Sequence, residues 1–579
     1  MTAFFKINPA GWQIKNMTPE NSPQTRFGDI ALCLSGGGYR AASFALGTLD
    51  MLDELDLLSD VKLFSTVSGG SFTGITYAAW RSEGKTYGQF YDDFYNFLAR
   101  TNCIDKALDD LYTTPSPSGS TDLSLIRSAA KSYADLLFKD RTFKELQESV
   151  AGGETFRELI FNTTEFRTGN SFRFRASSNP NAFIGNQNFS VPKTIAAECR
   201  LADIVAASSC FPGAFEPIRF PDDFHWTSSL SNVCEELKKD VKNPATGKLY
   251  QNGFNGGGDG GKFVSVPLMD GGIYDNQGIS SAVLADSGRT FGLFLITDTS
   301  QRADAILSFP TSDARRGWLT MNTLLWFAVA LFVSAIINVC LLAYYFFGAF
   351  YSHRTPWFEL ALFFIAPVFF SLVNVGILIW LFRLFRRMKS ITIAGAKFQL
   401  WHILRELALP DFIEMLKARF SSLSAMTGNV FMKHTRQMEF NDIMSDPSRA
   451  RLVSFNLIYD LNPSKPRADL WELAPDLKPT EQMVEISKTS EAVKTTLWLD
   501  KTDLDTLIVC GRITGCFSLL KYLWRRWQIE SEEARKNSLP EVPKPDNPAS
   551  PFYEIYQKLL AKWLELKTDP RASLNRKRV

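Results

Sequence analysis

Leu324–Phe350 carries no charged residue in 27 positions, and Leu360–Phe382 carries none in 23. A hydrocarbon core about 30 Å thick needs about 20 helical residues, so either segment can cross a bilayer. The connection Tyr351–Pro356 is short enough to make the two an antiparallel hairpin. A buried soluble hairpin is the alternative, and two uncharged segments of this length argue against it. Both spans lie inside the chain, so whatever folds before and after them must return to one side of the membrane. Arg315 and Arg316 precede the hairpin and Arg383, Arg386, Arg387 and Lys389 follow it, whereas the tip has only Arg354. That bias places both flanks, and with them both termini, in the cytoplasm; in a bacterium the membrane is then the inner one. Asn338 and Asn374 stand roughly 8 Å out of level at about 1.5 Å per residue, so no contact between them is expected.

At 579 residues the chain exceeds one ordinary domain. Lysine plus arginine (63) nearly balance aspartate plus glutamate (61), which leaves no overall field to attract nucleic acid, and no such partner is expected. The eight cysteines show no C-x-x-C pair or repeated spacing. They read as reduced, packed thiols rather than as a disulfide framework or a zinc site. Met1–Gly28 contains no apolar run long enough for a signal peptide.

These features divide the chain into an N-terminal segment (1–28), a first globular part (29–305), a hairpin region (315–390, spans about 323–350 and 358–382), a second globular part (396–526) and a charged tail with one helix (527–579). The run Asp505–Trp524 is cut by Arg512 and ends at Lys521, Arg525 and Arg526, so it reads as a packed amphipathic helix and not a third span. The basic end, Arg571 and Arg576–Arg578, reads as a solvated tail within reach of anionic lipid.

In the first globular part, the apolar run Asp29–Leu34 is closed by Ser35-Gly36-Gly37-Gly38 and followed by a helical pattern from Ala41 to about Leu58. A second run, Val61–Ser65, leads through Thr66-Val67-Ser68-Gly69-Gly70 into another helix. This βαβα start predicts an α/β fold with a doubly wound, mostly parallel sheet flanked by helices. Lys85–Ser149 is helical and rich in aromatics, and reads as a cap or insertion. Strands are expected at Phe172–Ala176, Phe291–Ile296 and Leu452–Tyr459, and helices at Phe398–Phe420, Thr435–Met444 and Pro551–Leu566. The glycine-rich stretch Asn252–Gly261 reads as a flexible spacer, because no helix start follows it.

Three pieces carry chemistry. Ser68 sits in a strand–turn–helix that looks like a nucleophile elbow, in which a strained turn projects one hydroxyl from the sheet edge; Thr66 stands where the usual G-x-S-x-G pattern has its first glycine. Gly36-x-Gly38-x-x-Ala41 satisfies a dinucleotide-binding fingerprint literally. That reading requires an acidic residue at the end of the second strand, and Ser68 and its glycines stand there instead. No Gly-Lys-Ser/Thr follows, so a P-loop fails too. What is left is a nest of backbone amides at a helix N-terminus, suited to an oxyanion. Acyl transfer is the economical reading: Ser68 attacks an ester carbonyl, and amides of Gly36, Gly37 and Gly38 stabilise the developing charge. A base must take the serine proton. Among His225, His353, His402 and His434, only His225 could come near. Asp270, in Leu268–Asn276 between an apolar approach and two glycines, needs no histidine.

Ser35–Ala41 as oxyanion loop, Val67–Ser71 as elbow and Asp270-Gly271-Gly272 as the aspartate of a Ser-Asp dyad together resemble the patatin-like phospholipases, which share their catalytic core with the cytosolic phospholipases A2. Ala206–Phe215 adds to the likeness. The resemblance covers about Asp29–Ser300 and, more faintly, Phe398–Leu523; the hairpin is no part of the family core, and Thr66 and Ala41 depart from its pattern. It implies hydrolysis of fatty acyl esters of phospholipids or lysophospholipids through an acyl-serine, with no cofactor and no metal. Arg40, at the end of the nest, becomes a candidate for binding the lipid phosphate. The expected partners are membrane phospholipid as substrate and the bilayer itself. An enzyme held at its own membrane is expected to be gated, by the Lys85–Ser149 cap, by homo-oligomerisation or by a small-molecule activator. Some bacterial relatives answer a nucleotide signal, and no nucleotide site is identifiable here. Full-rate release of fatty acid by the purified chain with no activator would exclude gating. The alternative to an enzyme is a catalytically silent membrane scaffold with the same fold, for which Thr66 is the main support.

Overall fold

Ile30–Leu34 (β1) is apolar on both faces and buried at every position, as strands are when helices cover both sides of a parallel sheet, and Val61–Val67 (β2) is buried at every position but Lys62. Each ends in a glycine turn from which a helix starts at once: Gly38–Glu54 (α1) after β1 and Gly69–Ser82 (α2) after β2. A computed structural model describes residues 27–119, 122–238, 241–242, 249–250, 265–302, 321–352, 368–369, 371–380, 383, 391–393, 396–398, 417–419, 421–423, 426–463, 467–575 and 578. The chain forms two compact units, one of 1–304 with 430–579 and one of 305–429.

The first unit is built on a ten-stranded sheet. Its further strands are Glu158–Glu165 (β3), Asn170–Ser177 (β4), Ile184–Gly185 (β5), Ser190–Val191 (β6), Ile218–Phe220 (β7), Val266–Asp270 (β8), Leu293–Asp298 (β9) and Val453–Leu457 (β10). The order is β10-β9-β1-β2-β3-β4-β5-β6, parallel as far as β3 and antiparallel beyond it, with β8 pairing antiparallel to both β3 and β7. The expected α/β sheet flanked by helices is present as a mixed, mostly parallel sheet. The strand from the second half of the chain, β10, completes one edge beside β9.

One junction in this sheet decides where chemistry can occur. The strand β2 runs parallel to β3 as far as Val67 opposite Asn162. The next residue of β3, Thr163, faces Asp270, because β8 comes from the other direction. The two strand ends therefore meet end to end along one neighbour.

Several expectations change in the folded chain. The helices Tyr87–Arg100, Cys103–Asp109, Leu125–Tyr133 and Phe143–Ser149 are not a separate cap but a layer of the main core. Phe72 of α2 packs edge-on to Tyr133 at 4.9 Å between ring centroids and stacks with Phe97 at 6.3 Å. Asp505–Trp524 lies inside one helix, Lys501–Lys536, which is packed but hardly amphipathic, since every residue from Thr506 to Leu520 is buried. Arg512, which cuts the apolar run, is buried against Asp50 and Glu54 of α1. The basic tail end is not solvated at Arg578: its guanidinium binds the Asp50 carboxylate at 2.7 and 2.9 Å and lies 3.5 Å over the Tyr91 ring. Arg576 and Lys577, the glycine-rich stretch 252–261 and nearly all of 398–420 lie outside the described residues.

The second unit contains a helix, Met321–Ser352, whose stretch Trp326–Gly348 is apolar, only 11% buried and long enough to cross a membrane. Of the other expected span, residues 368–369 and 371–380 are described, and Ser371–Trp380 is an apolar helix. Lys501–Lys536 is also long enough and apolar enough to cross a membrane, but its apolar stretch is 94% buried within the first unit, which makes it a core helix.

Candidate active site

The turn from β2 into α2 forces Ser68 to φ 50° and ψ −117°, a region that non-glycine residues rarely occupy and that costs on the order of 1–3 kcal/mol. Surrounding bonds hold it there. The Ser68 amide donates to Ser208 Oγ at 3.0 Å, and Ser208 Oγ donates to the Asn162 carbonyl at 2.7 Å. Ser71 Oγ lies 2.8 Å from Ser208 Oγ and 2.9 Å from Thr66 Oγ1. Ser208 comes from the helix Leu201–Ser208 (α3) and Asn162 from β3, so the elbow is tied to two elements far away in sequence.

Thr66, the departure from the glycine pattern, is accommodated within this network. Its hydroxyl joins the chain through Ser71, and its methyl fills space left by Gly74 one turn into α2: a Cβ on Gly74 would lie 2.5 Å from Thr66 Cγ2. The missing glycine of the strand is thus matched by a glycine of the helix.

Asp270 ends β8 and faces the elbow through the junction described above. The Gly272 amide donates to its Oδ1 at 2.7 Å, and the Ser68 side chain lies close enough to the carboxylate to favour its charged form. Thr164 Oγ1 fixes its carbonyl at 2.9 Å, and its own amide donates to the Cys210 carbonyl at 2.9 Å. Burial raises its pKa to about 6, against the lowering effect of Ser68 and of the Gly272 amide. Both Ser68 and Asp270 are buried.

The glycine turn after β1 passes beside Ser68. Gly37 (φ 140°) and Gly38 (φ 58°) need their positive φ to turn the strand into α1. A Cβ on Gly36 would lie 3.2 Å from Ser68 Cβ. The Gly36 amide does not face the serine; it donates to the Asn276 carbonyl at 2.9 Å. Of the three amides expected in the nest, that of Gly36 is therefore engaged elsewhere, while those of Gly37 and Gly38 have no hydrogen-bond partner among the described residues.

Arg40 differs from expectation as well. It is 6% exposed, and its Nη1 donates to the Val493 carbonyl at 2.8 Å. Its Nε is buried without a partner among the described residues, and burial lowers its pKa to about 10. His225 is held elsewhere: Arg200 Nη2 lies 2.6 Å from its Nδ1, and its amide donates to Asp203. His434 is exposed on the helix Met432–Ser445 (α4), and His353 and His402 lie outside the described residues.

Sequence reasoning passed over three contributors. Ser208 and Asn276 lie within stretches that drew attention for other residues. Asn276 Oδ1 would meet a Cβ on either Gly36 or Gly272 at 2.5 Å, so its side chain fills the space between the two loops. The third is α4, which belongs to the first unit and brings Met432 Cε to within 3.1 Å of a Cβ placed on Gly272. On the same helix, Glu439 is raised to about 8 by burial and then by Asp275 and Asp442.

Residues 32–283 match the family model described as patatin-like phospholipase. Among solved structures, human GIVD cytosolic phospholipase A2 is similar at 14% identity and a TM-score of 0.31, over 48% of this chain and 43% of that one. The same human protein in complex with methyl gamma-linolenyl fluorophosphonate gives 16% and 0.28, over 48% and 41%. With that inhibitor and terbium chloride it gives 14% and 0.27, over 50% and 45%. The chain spans less than half the length of each of these structures. No curated protein matches the chain.

Proposed function

We infer, from the match of residues 32–283 to the patatin-like phospholipase family model, that the protein is a membrane-anchored serine acyl hydrolase that cleaves fatty acyl esters of membrane phospholipids or lysophospholipids through a Ser68–Asp270 dyad. The observation that carries this reading is the meeting of two strand ends along β3, which brings Ser68 beside the buried carboxylate of Asp270. Asp270 takes the proton as Ser68 Oγ attacks the ester carbonyl. The Gly37 and Gly38 amides stabilise the tetrahedral oxyanion. Collapse expels the lysolipid alkoxide, which recovers the proton from Asp270 and leaves an acyl-serine. A water molecule, deprotonated by Asp270, then releases the fatty acid and restores the serine.

The apolar helix Trp326–Gly348 supports an anchor in the bilayer that supplies the substrate, and the arginines flanking the hairpin support a cytoplasmic active site. The scaffold alternative drew on Thr66; its fit against Gly74 favours an intact elbow and so supports the enzyme reading.

The test is release of fatty acid from mixed phospholipid vesicles by the full-length protein as a function of pH. Asp270 must be ionised to act as base, so activity rises with pH through its pKa of about 6. At pH 5, kcat/KM should be about one-tenth of its plateau value. No release at any pH would sink the reading; release with no acid limb near 6 would remove Asp270 as the base.

A further inference from the structure

Val493–Leu499 joins the helix Glu481–Ala492 to Lys501–Lys536 and belongs to the part of the chain that follows the hairpin. It lies directly on the glycine turn. The Thr496 carbonyl accepts the Tyr39 amide at 2.8 Å, at the first turn of α1, and a Cβ on Gly38 would collide with that carbonyl. Arg40 Nη1 holds the Val493 carbonyl at 2.8 Å. The segment's own start is pinned from the end of β9: Gln301 Nε2 donates to the Glu491 carbonyl at 2.7 Å and to that of Val493 at 3.4 Å, and the Arg302 guanidinium pairs with the Glu491 carboxylate at 2.8 Å. On its other side the turn is backed by Thr299, whose Oγ1 donates to the Gly36 carbonyl at 3.2 Å.

We propose that this segment is a strap that holds the oxyanion turn in its working geometry, and that Arg40 is a positioning residue which latches the strap and does not bind the lipid phosphate. The inference rests on the acyl hydrolase reading. Two amides in a positive-φ glycine turn have no side chains to fix their direction, so something outside the turn must do it. The strap does so through one backbone acceptor at Tyr39 and one buried cation at Arg40. A cation with 6% exposure and a short bond to a main-chain carbonyl is spent on structure, whereas a headgroup ligand needs an open path to the lipid. It follows that the catalytic machinery is complete only when the chain beyond the hairpin has folded back onto the part before it.

The test uses the full-length protein and three readouts: kcat and KM on a neutral short-chain p-nitrophenyl ester, kcat and KM on phosphatidylcholine–phosphatidylglycerol vesicles, and the rate of Ser68 labelling by a fluorophosphonate. In that labelling, Oγ displaces fluoride at phosphorus and its proton passes to Asp270. Arg40→Ala should lower kcat on both substrates and the labelling rate together, on the order of 10²-fold, with KM nearly unchanged. Arg40→Lys should recover part of the loss. Gln301→Ala leaves no buried charge unpaired, keeps the fold by circular dichroism, and should show the same pattern at about tenfold. An Arg40→Ala protein that labels and turns over the neutral ester like wild type, with only the vesicle KM raised, would overturn the strap and return Arg40 to the phosphate. Wild-type rates of labelling in Gln301→Ala and Arg40→Ala alike would also overturn it. A wild-type protein that neither labels nor turns over either substrate would remove the hydrolase reading itself, and the strap's role with it.

Discussion

Ser68→Ala is expected to reduce fatty acid release by at least about 10⁴-fold while leaving the fold intact. The serine hydroxyl stands at the meeting point of β2 and β8, beside the buried Asp270 carboxylate. Its backbone does not depend on it: the strained turn is held by the Ser68 amide on Ser208 and by the Ser71 amide on the Ser68 carbonyl at 2.9 Å, and an alanine keeps both bonds. Thermal unfolding of the variant should therefore overlay on wild type. The oxyanion amides survive the change, so a residual rate above the uncatalysed reaction is expected, as in other sites where the nucleophile alone is removed. Undiminished release by Ser68→Ala, measured as free fatty acid from the same vesicles, would end the assignment.

The second large effect is on stability and lies on the opposite end of α1. Asp50 is fully buried and takes Arg512 from the long core helix on one side and Arg578 from the end of the chain on the other. Glu54, one turn on, takes Arg512 and Lys562, the latter at 2.7 Å. Replacing Asp50 by alanine leaves two buried guanidinium groups with one carboxylate between them, and removing one partner of a buried pair costs about 3–5 kcal/mol. The variant should lose that much in denaturant unfolding of the full-length protein in detergent. Asp50→Asn, which keeps a hydrogen-bond acceptor but no charge, should fall between. A loss under about 1 kcal/mol for Asp50→Ala would mean that water reaches the arginines and replaces the carboxylate. This network also explains why a charge sits in the middle of an otherwise apolar helix. Arg512 looked like a marker of an exposed face; it is the pin between the second half of the chain and α1.

The parts of the site that could be read in advance are those encoded by a few neighbouring residues. A run of apolar residues closed by Ser35–Gly38, another closed by Ser68–Gly70 and an aspartate before two glycines each announce a strand end and a tight turn, because only glycine tolerates those backbone angles and close approaches. Gly36 shows the limit of that legibility. It belongs to the turn as expected, yet its amide faces Asn276, some 240 positions away, and no local pattern reveals the partner. The strand β3 was not anticipated at all. Its second half, Asn162-Thr163-Thr164-Glu165, has the polarity of a loop, and it is a strand because the elbow, α3 and β8 satisfy those side chains and carbonyls inside the protein.

What the amino-acid sequence determined by itself was the set of short-range constraints: where uncharged helices are long enough to span a bilayer, where glycine turns end strands, and which serine and aspartate stand at such ends. These follow from chain length and backbone sterics, which act between near neighbours. Only the tertiary structure decided which groups face one another: Asp270 against Ser68 across β3, Arg40 on the Val493 carbonyl, Thr66 against Gly74, and Arg578 on Asp50. A buried polar atom must find a partner, but which one it finds depends on packing between segments hundreds of residues apart.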